Sequence, residues 1–196
     1  PLFCFSPDAD FPLICGEKGV YQGEFRTVDA VAGGKLVELD GGTVANAIPG
    51  LACAVVRADA AALPAADNIT VEPAGDGLAR VSAHGKGGHA SLPAGTVNAI
   101  GLLARYLLAN GLVDDASRAF VELEVALTED TCGSHTGIAA HDEKFGPLTC
   151  IAGTVRTIDG HFVQTVDSRY PTTTTGEAIT ERMGQIAASH GCGYRK

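Results

Sequence analysis

Alternation of apolar and polar side chains marks the strands of this chain. Ala79, Val81 and Ala83 alternate with Arg80, Ser82 and His84, the period of two of a half-buried strand over residues 78–84. Gly75-Asp76-Gly77 precedes it as a turn, so 69–72 and 78–84 are expected to pair. Residues 148–156 and 162–169 form the clearest hairpin, joined near Asp159-Gly160. The Tyr170-Pro171 step ends its second strand, because proline restricts the residue before it. Nearer the start, 23–31 reads as a strand and 35–39 as its return strand about a Gly33-Gly34 turn.

Helical spacing predicts the other elements. Residues 44–62 are rich in alanine, with Pro49 suited to a first helical position and Leu51 and Val55 four apart, so a helix is expected up to Pro64. Val97, Ile100, Leu103, Ala104 and Leu107 share one face of a helix over 97–110, capped by Thr96 and stopped by Gly111. Residues 114–128 read as another helix, with strand as the alternative because of the valines and Phe120. Thr174-x-x-Glu177 is a capping box, and Ile179, Met183 and Ile186 mark one face of a helix to His190. Residues 131–144 are polar and irregular.

From residue 78 onward the order is strand, helix, strand, strand, helix, strand stub. That βαββαβ order is the ferredoxin-like pattern. A smaller strand-strand-helix-strand lobe precedes it. The expected fold class is therefore α+β: a ferredoxin-like core over 75–196 with an extra N-terminal α/β lobe over 21–74.

Composition narrows the function classes. With 45% hydrophobic and 19% charged residues, the 196-residue chain can bury a full core. Its formal charge of −9 argues against partners that reward Lys and Arg, so neither nucleic acid nor a membrane surface is expected. No apolar run approaches the ~20 residues that span a bilayer. No basic segment followed by an apolar stretch marks a secretory leader, so a cytoplasmic location is expected. The chain starts at Pro1 and stops just past a helical segment, which suggests a piece of a larger protein. Its six cysteines form no C-x-x-C pair and are expected as free thiols.

Spacing alone points to no self-contained catalytic centre. His84 and His89 flank a glycine-rich stretch, but two histidines do not close a zinc site, and no H-E-x-x-H is present. Gly85-Lys86-Gly87-Gly88 does not match a phosphate-binding loop, because no Ser or Thr follows the lysine. No G-x-S-x-G elbow is present, and Ser91 reads as a turn or capping residue.

Five strings change the picture. They are Phe5-Ser6-Pro7-Asp8-Ala9-Asp10-Phe11-Pro12 with Gly16-Glu17-Lys18-Gly19; Ala45-Asn46-Ala47-Ile48-Pro49; Gly85-Lys86-Gly87-Gly88-His89-Ala90-Ser91-Leu92-Pro93; Gly137-Ile138-Ala139-Ala140-His141-Asp142-Glu143; and Asp167-Ser168-Arg169-Tyr170-Pro171. In this order they resemble the PepV-type dipeptidases of the aminoacylase/carboxypeptidase superfamily of zinc metallopeptidases. The resemblance spans essentially the whole chain.

The resemblance implies a hydrolase in which a catalytic domain holds two zinc ions and a lid domain is inserted into it. This chain would be that lid, with residues 1–20 as a remnant of the catalytic domain. Its partners would be a dipeptide substrate and its own catalytic domain. The family's H-x-D motif, bridging aspartate, Glu-Glu pair and late metal-binding histidine are missing, so the isolated chain is expected to be inactive and to bind little or no zinc. Asp8 matches a metal-ligand carboxylate, with Asp10 as the alternative. His89 matches the lid histidine that donates to the oxyanion, and Asn46 a second lid residue at the site, with helix capping as its other reading. Arg169 matches the arginine that grips the substrate carboxylate. Related lids serve deacylases and desuccinylases, so an N-acyl amino acid is the alternative substrate. A freestanding dimerisation or binding module is the alternative of another class.

Overall fold

The computed structural model describes Ile14 and residues 16–196. In chain order the elements are β1 (Gly19–Thr27), β2 (Leu36–Gly41), β3 (Ala47–Ile48), β4 (Leu51–Arg57), a short 3₁₀ turn (Ala60–Ala62), β5 (Ile69–Gly75), β6 (Leu78–His84) and β7 (Gly88–His89). Helices α1 (Ala99–Ala109) and α2 (Asp115–Thr128) follow, then β8 (His141–Asp142), β9 (Gly146–Pro147), β10 (Thr149–Ile158), β11 (His161–Tyr170), α3 (Gly176–Ser189) and β12 (Cys192–Arg195).

Eight strands form one sheet in the order β12-β1-β11-β10-β2-β4-β6-β5. Every neighbouring pair is antiparallel. The chain is thus α+β, with the helices gathered on one face. Cross-strand register puts Tyr21, Ser168 and Cys150 in one row and Gly41, Val155 and Gln164 in another, all on that face. Tyr21 shares a hydrogen bond of 3.0 Å with Thr180 of α3, and Phe162 meets Phe120 of α2 with ring centroids 5.4 Å apart. A methyl group on Gly41 would stand 3.1 Å from Ile100 of α1. Ile100, Leu103, Leu107, Ile179, Met183 and Ile186 all enter the core, as their helical spacing predicts.

The strand order departs from the expected one. β1 and β2 are not paired as strand and return strand: β1 lies between β12 and β11, and β2 between β10 and β4. The strand beside β12 is β1, paired Glu24 to Arg195, whereas the reading from residue 78 made β6 the first strand of the core. β6 lies between β4 and β5 at the other end of the sheet. Strand order is set by long-range pairing, which sequential patterning does not record. The sheet also runs across residue 75, where β5 and β6 pair about the Gly75-Asp76-Gly77 turn.

The helix expected over 44–62 is not formed. β3, β4 and a single 3₁₀ turn occupy that stretch. A spacing of four is also a multiple of two, so Leu51 and Val55 share a face of a strand as readily as of a helix. Ala52, Ala54 and Val56 are buried, and pairing with β2 on one side and β6 on the other outweighs alanine's helix preference. Asn46 therefore caps no helix and sits in the turn before β3.

The other helices hold, with shifted caps. Asn98 rather than Thr96 caps α1, accepting from Ile100 N–H at 3.0 Å, while the Thr96 hydroxyl donates to the Pro93 carbonyl. Thr175 rather than Thr174 caps α3, accepting from Ala178 N–H. Residues 115–128 are helical, with a capping box between Asp114 and Ser117. Among the described residues no helix is long and apolar enough to cross a membrane.

Candidate functional site

The face away from the helices carries the site. Gln22, Asp167 and Ile151 lie in one cross-strand row on this face, and Arg169, Val20 and Thr149 in the next. A two-stranded ribbon, β3 with β7, lies over it: Ile48 and Ala90 form a small buried apolar cluster with Ile151. Ala90 follows His89, and its N–H donates to the Asn46 carbonyl at 3.0 Å. Ala47 pairs with His89. The ribbon thus brings His89 and Asn46 together. A chain of contacts from Ala90 through Ile151 and its partner Asp167 reaches Arg169.

The glycine run before His89 gives close packing rather than a flexible hinge. A methyl group on Gly85 would come within 2.2 Å of the Val97 carbonyl oxygen, and one on Gly88 within 2.6 Å of Thr96. Neither glycine is at positive φ. Their service is to let β7 and the chain before it press against the backbone of residues 48–50 and 97–99 and the Thr96 side chain.

His89 is exposed, and its ring is oriented from within the same turn. The Ser91 N–H donates to Nδ1 at 3.2 Å, and the Ser91 hydroxyl lies 2.7 Å from the same nitrogen. A ring nitrogen that accepts from an amide carries no proton, so the neutral imidazole keeps its proton on Nε2. Nε2–H is then a donor.

Arg169 is held by a carboxylate with no solvent exposure. Its Nε donates to Asp167 Oδ1 at 2.7 Å and its Nη2 to Oδ2 at 3.2 Å, and Gln22 Nε2 donates to the same Oδ2 at 2.8 Å. This two-point contact fixes the guanidinium plane and leaves Nη1 and the second Nη2 hydrogen for a further acceptor. Thr149, cross-strand from Arg169, has a buried hydroxyl with no hydrogen-bond partner among the described residues.

A second support lies beyond Arg169. Asp142 of the Gly137–Glu143 string accepts from Lys144 and Phe145 N–H through Oδ1, and from both the N–H and hydroxyl of Thr172 through Oδ2, each at 2.8 Å. Donation from Phe145, followed by Thr172, holds its carboxyl down at about 2. It ties β8 to the chain leaving β11. His141 and Asp142 form β8, and the Asp142 side chain closes the turn to β9.

Asp8 and Asp10 lie outside the described residues. Among the described residues no three His, Cys, Asp or Glu side chains form a group able to hold a metal ion. Ser91, Asp167, Gln22 and Thr149 are the site residues that motif reading missed. For Asp167 the signal was present: two positions from Arg169 on a strand is the same face.

No family model matches the chain. A Bacillus subtilis (strain 168) protein named "Putative dipeptidase YtjP" is 30% identical to it over 201 residues, covering 92% of this chain. The chain spans 42% of the length of that curated relative.

Proposed function

We propose that this chain is the substrate-holding lid of a metallo-dipeptidase, one that acts on unblocked dipeptides. The observation that carries the reading is the Arg169–Asp167 pair. A partly exposed guanidinium locked by a buried carboxylate, with donors to spare, is a preformed receptor for a terminal carboxylate. The dipeptidase name of the relative, matched along 92% of the chain, supports the same reading.

Three tasks fall to this chain. Arg169 holds the C-terminal carboxylate of the dipeptide. His89 offers Nε2–H to the oxygen of the scissile carbonyl, where negative charge builds up as the carbonyl is attacked. Asn46, beside His89, helps to position that group. The described residues do not fit a zinc centre, so the two metal ions that the resemblance implies, with Asp8 as one ligand, would be held outside them. The ferredoxin-like lid architecture belongs to this same proposal. It is supported by the order β12-β1-β11-β10, with a helix after β11.

The test uses the full-length protein that carries this chain, a free dipeptide, the same dipeptide amidated at its C-terminus, and the matching N-acyl amino acid. The free dipeptide should be the best substrate. His89→Ala should lower kcat by roughly 10²–10³ with the metal content unchanged. Loss of metal in His89→Ala would make this residue a ligand instead. Preference for the N-acyl amino acid would assign the chain to a deacylase. Absence of any hydrolysis would leave a binding module.

A further inference from the structure

Two free thiols line one cleft on this molecule. The cleft, about 480 Å³, opens between the turn before α1, the end of α2 and the start of β10. Cys132 and Cys150 both line it, and both are free. Cys150 is buried at the start of β10, while Cys132 is half-buried, with Sγ 3.2 Å from the Ser134 hydroxyl.

Their backbones are tied together. Cys150 N–H donates to the Thr131 carbonyl at 2.9 Å. Cys132 follows that carbonyl directly, so ordinary bond lengths and a trans peptide hold the two Cα atoms within roughly 7 Å. Disulfides form at about 4.4–6.8 Å. The Asp130 carboxylate fixes the turn by accepting from the N–H groups of Cys132, Gly133, Ser134 and His135. Neither Cys53 nor Cys192 lines the cleft.

We propose that Cys132 and Cys150 are a hydroperoxide-sensitive dithiol that closes to an intramolecular disulfide at this cleft. Cys132 reacts first. Its thiolate attacks one oxygen of hydrogen peroxide, the O–O bond breaks, and Cys132 becomes a sulfenic acid as the other oxygen leaves as water. The Cys150 sulfur then attacks the Cys132 sulfur. The S–S bond forms, the S–O bond breaks, and the departing hydroxide leaves as water with the Cys150 proton. Two thiols and one peroxide give one disulfide and two waters. The sulfurs are oxidised and the peroxide is reduced.

The order of events follows from the surroundings. Burial, then the nearby Asp130 and Asp167 carboxylates, push the Cys150 thiol up to about 12. It therefore carries little thiolate, while Cys132 meets the solvent of the cleft. Cys150 is the resolving thiol.

The test is a peptide map of the intact chain. The folded protein is treated with hydrogen peroxide, its remaining thiols are alkylated, and it is digested without reductant. The expected result is a linked Cys132–Cys150 peptide that a dithiol reductant separates. In Cys150→Ala, Cys132 should instead accumulate as a sulfenic acid trapped by dimedone. The wild-type map decides the matter even if that variant folds poorly. Cys132 found oxidised without any link to Cys150, Cys150 linked to another cysteine, or both thiols still alkylatable would each overturn the proposal.

Discussion

Ser91 orients the ring of His89 from two positions along the chain, its amide and its hydroxyl both directed at Nδ1. A neutral histidine in this setting donates from Nε2 alone. Ring ¹⁵N spectra of the chain should show His89 as the Nε2–H tautomer at neutral pH. In Ser91→Ala the amide remains and only the hydroxyl is lost, so the Nε2–H tautomer should persist while the ring is less firmly oriented. In the full-length protein this variant should lose roughly 3- to 10-fold in kcat, less than His89→Ala, because the donor survives but is less well aimed. An Nδ1–H tautomer in the wild-type chain would remove the oxyanion role from His89.

Arg169 and Thr149 test the carboxylate receptor separately. Arg169→Ala in the full-length protein should raise KM clearly and cut kcat/KM by roughly 10²-fold, about 3 kcal/mol, for a free dipeptide. It should change the amidated dipeptide much less. Thr149→Val removes a buried hydroxyl that has no partner among the described residues, so the fold should lose nothing and even gain slightly. If that hydroxyl meets the substrate carboxylate, KM should rise by roughly 5-fold. Equal losses on both substrates in Arg169→Ala would show that the arginine supports the fold and not the ligand.

The hairpin β10–β11 and helices α1 and α3 were legible because their periodicity is local and strong, while the valines and Phe120 of α2 left strand open as its alternative. Strand β4 was not, because Leu51 and Val55 at a spacing of four fit either element, and alanines carry little β signal. The neighbour of β12 could not be read either: β1 joins it from 165 residues away, between Thr27 and Cys192. At the site, His89, Asn46 and Arg169 came from resemblance rather than from spacing. What their strings could not convey was the support beneath them. A serine two positions past a histidine is common in turns, and only the fold aims it at Nδ1. Asp167 was readable in principle, since β11 puts it on the face of Arg169.

Asp142 links two distant segments through a single carboxylate, and its removal should loosen both. In Asp142→Ala the Lys144, Phe145 and Thr172 amides lose their acceptor and should exchange with solvent faster, while the amides of α1 stay protected. The folded-state value is depressed to about 2, so its contribution to stability is present above the ordinary carboxylate range and is lost as pH falls through about 2. Acidification of the wild-type chain should free these amides as the variant does at neutral pH. Unchanged exchange at Thr172 would show that the tie is not formed in solution.

Gly85→Ala tests close packing under the ribbon. The added carbon would stand 2.2 Å from a backbone oxygen, that of Val97, which cannot rotate away. The chain before β7 must move, at a cost of roughly 1–3 kcal/mol. Gly75→Ala is the contrast: nothing lies within 4 Å of its new carbon, and only the strain of its φ of +82° is felt. Denaturant midpoints should fall in both, but only Gly85→Ala should alter the His89 ring signals. Unchanged His89 signals in Gly85→Ala would mean that the ribbon is held by β3 alone.

Glu124 makes the alkaline prediction. It lies on the buried side of α2, and neither carboxyl oxygen has a hydrogen-bond partner among the described residues. A small cavity beside it is lined by Leu39, Ile100, Leu103 and Val155 among others. Burial raises its carboxyl well above the ordinary value, so the folded chain releases this proton at a higher pH than the unfolded chain does. An unfolded glutamate releases it near about pH 4.3. Below that pH both states hold the proton and the full stability is present. Above it the unfolded chain binds fewer protons than the folded one, so stability falls as pH rises, until the folded group also ionises. Glu124→Met keeps the size, removes both orphaned oxygens and abolishes this term. At about pH 8 it should stabilise the chain by about 1–3 kcal/mol, with a smaller gain at about pH 5. Urea unfolding of both proteins at the two pH values measures the difference. A gain that does not grow with pH would mean that Glu124 finds a partner in the folded chain.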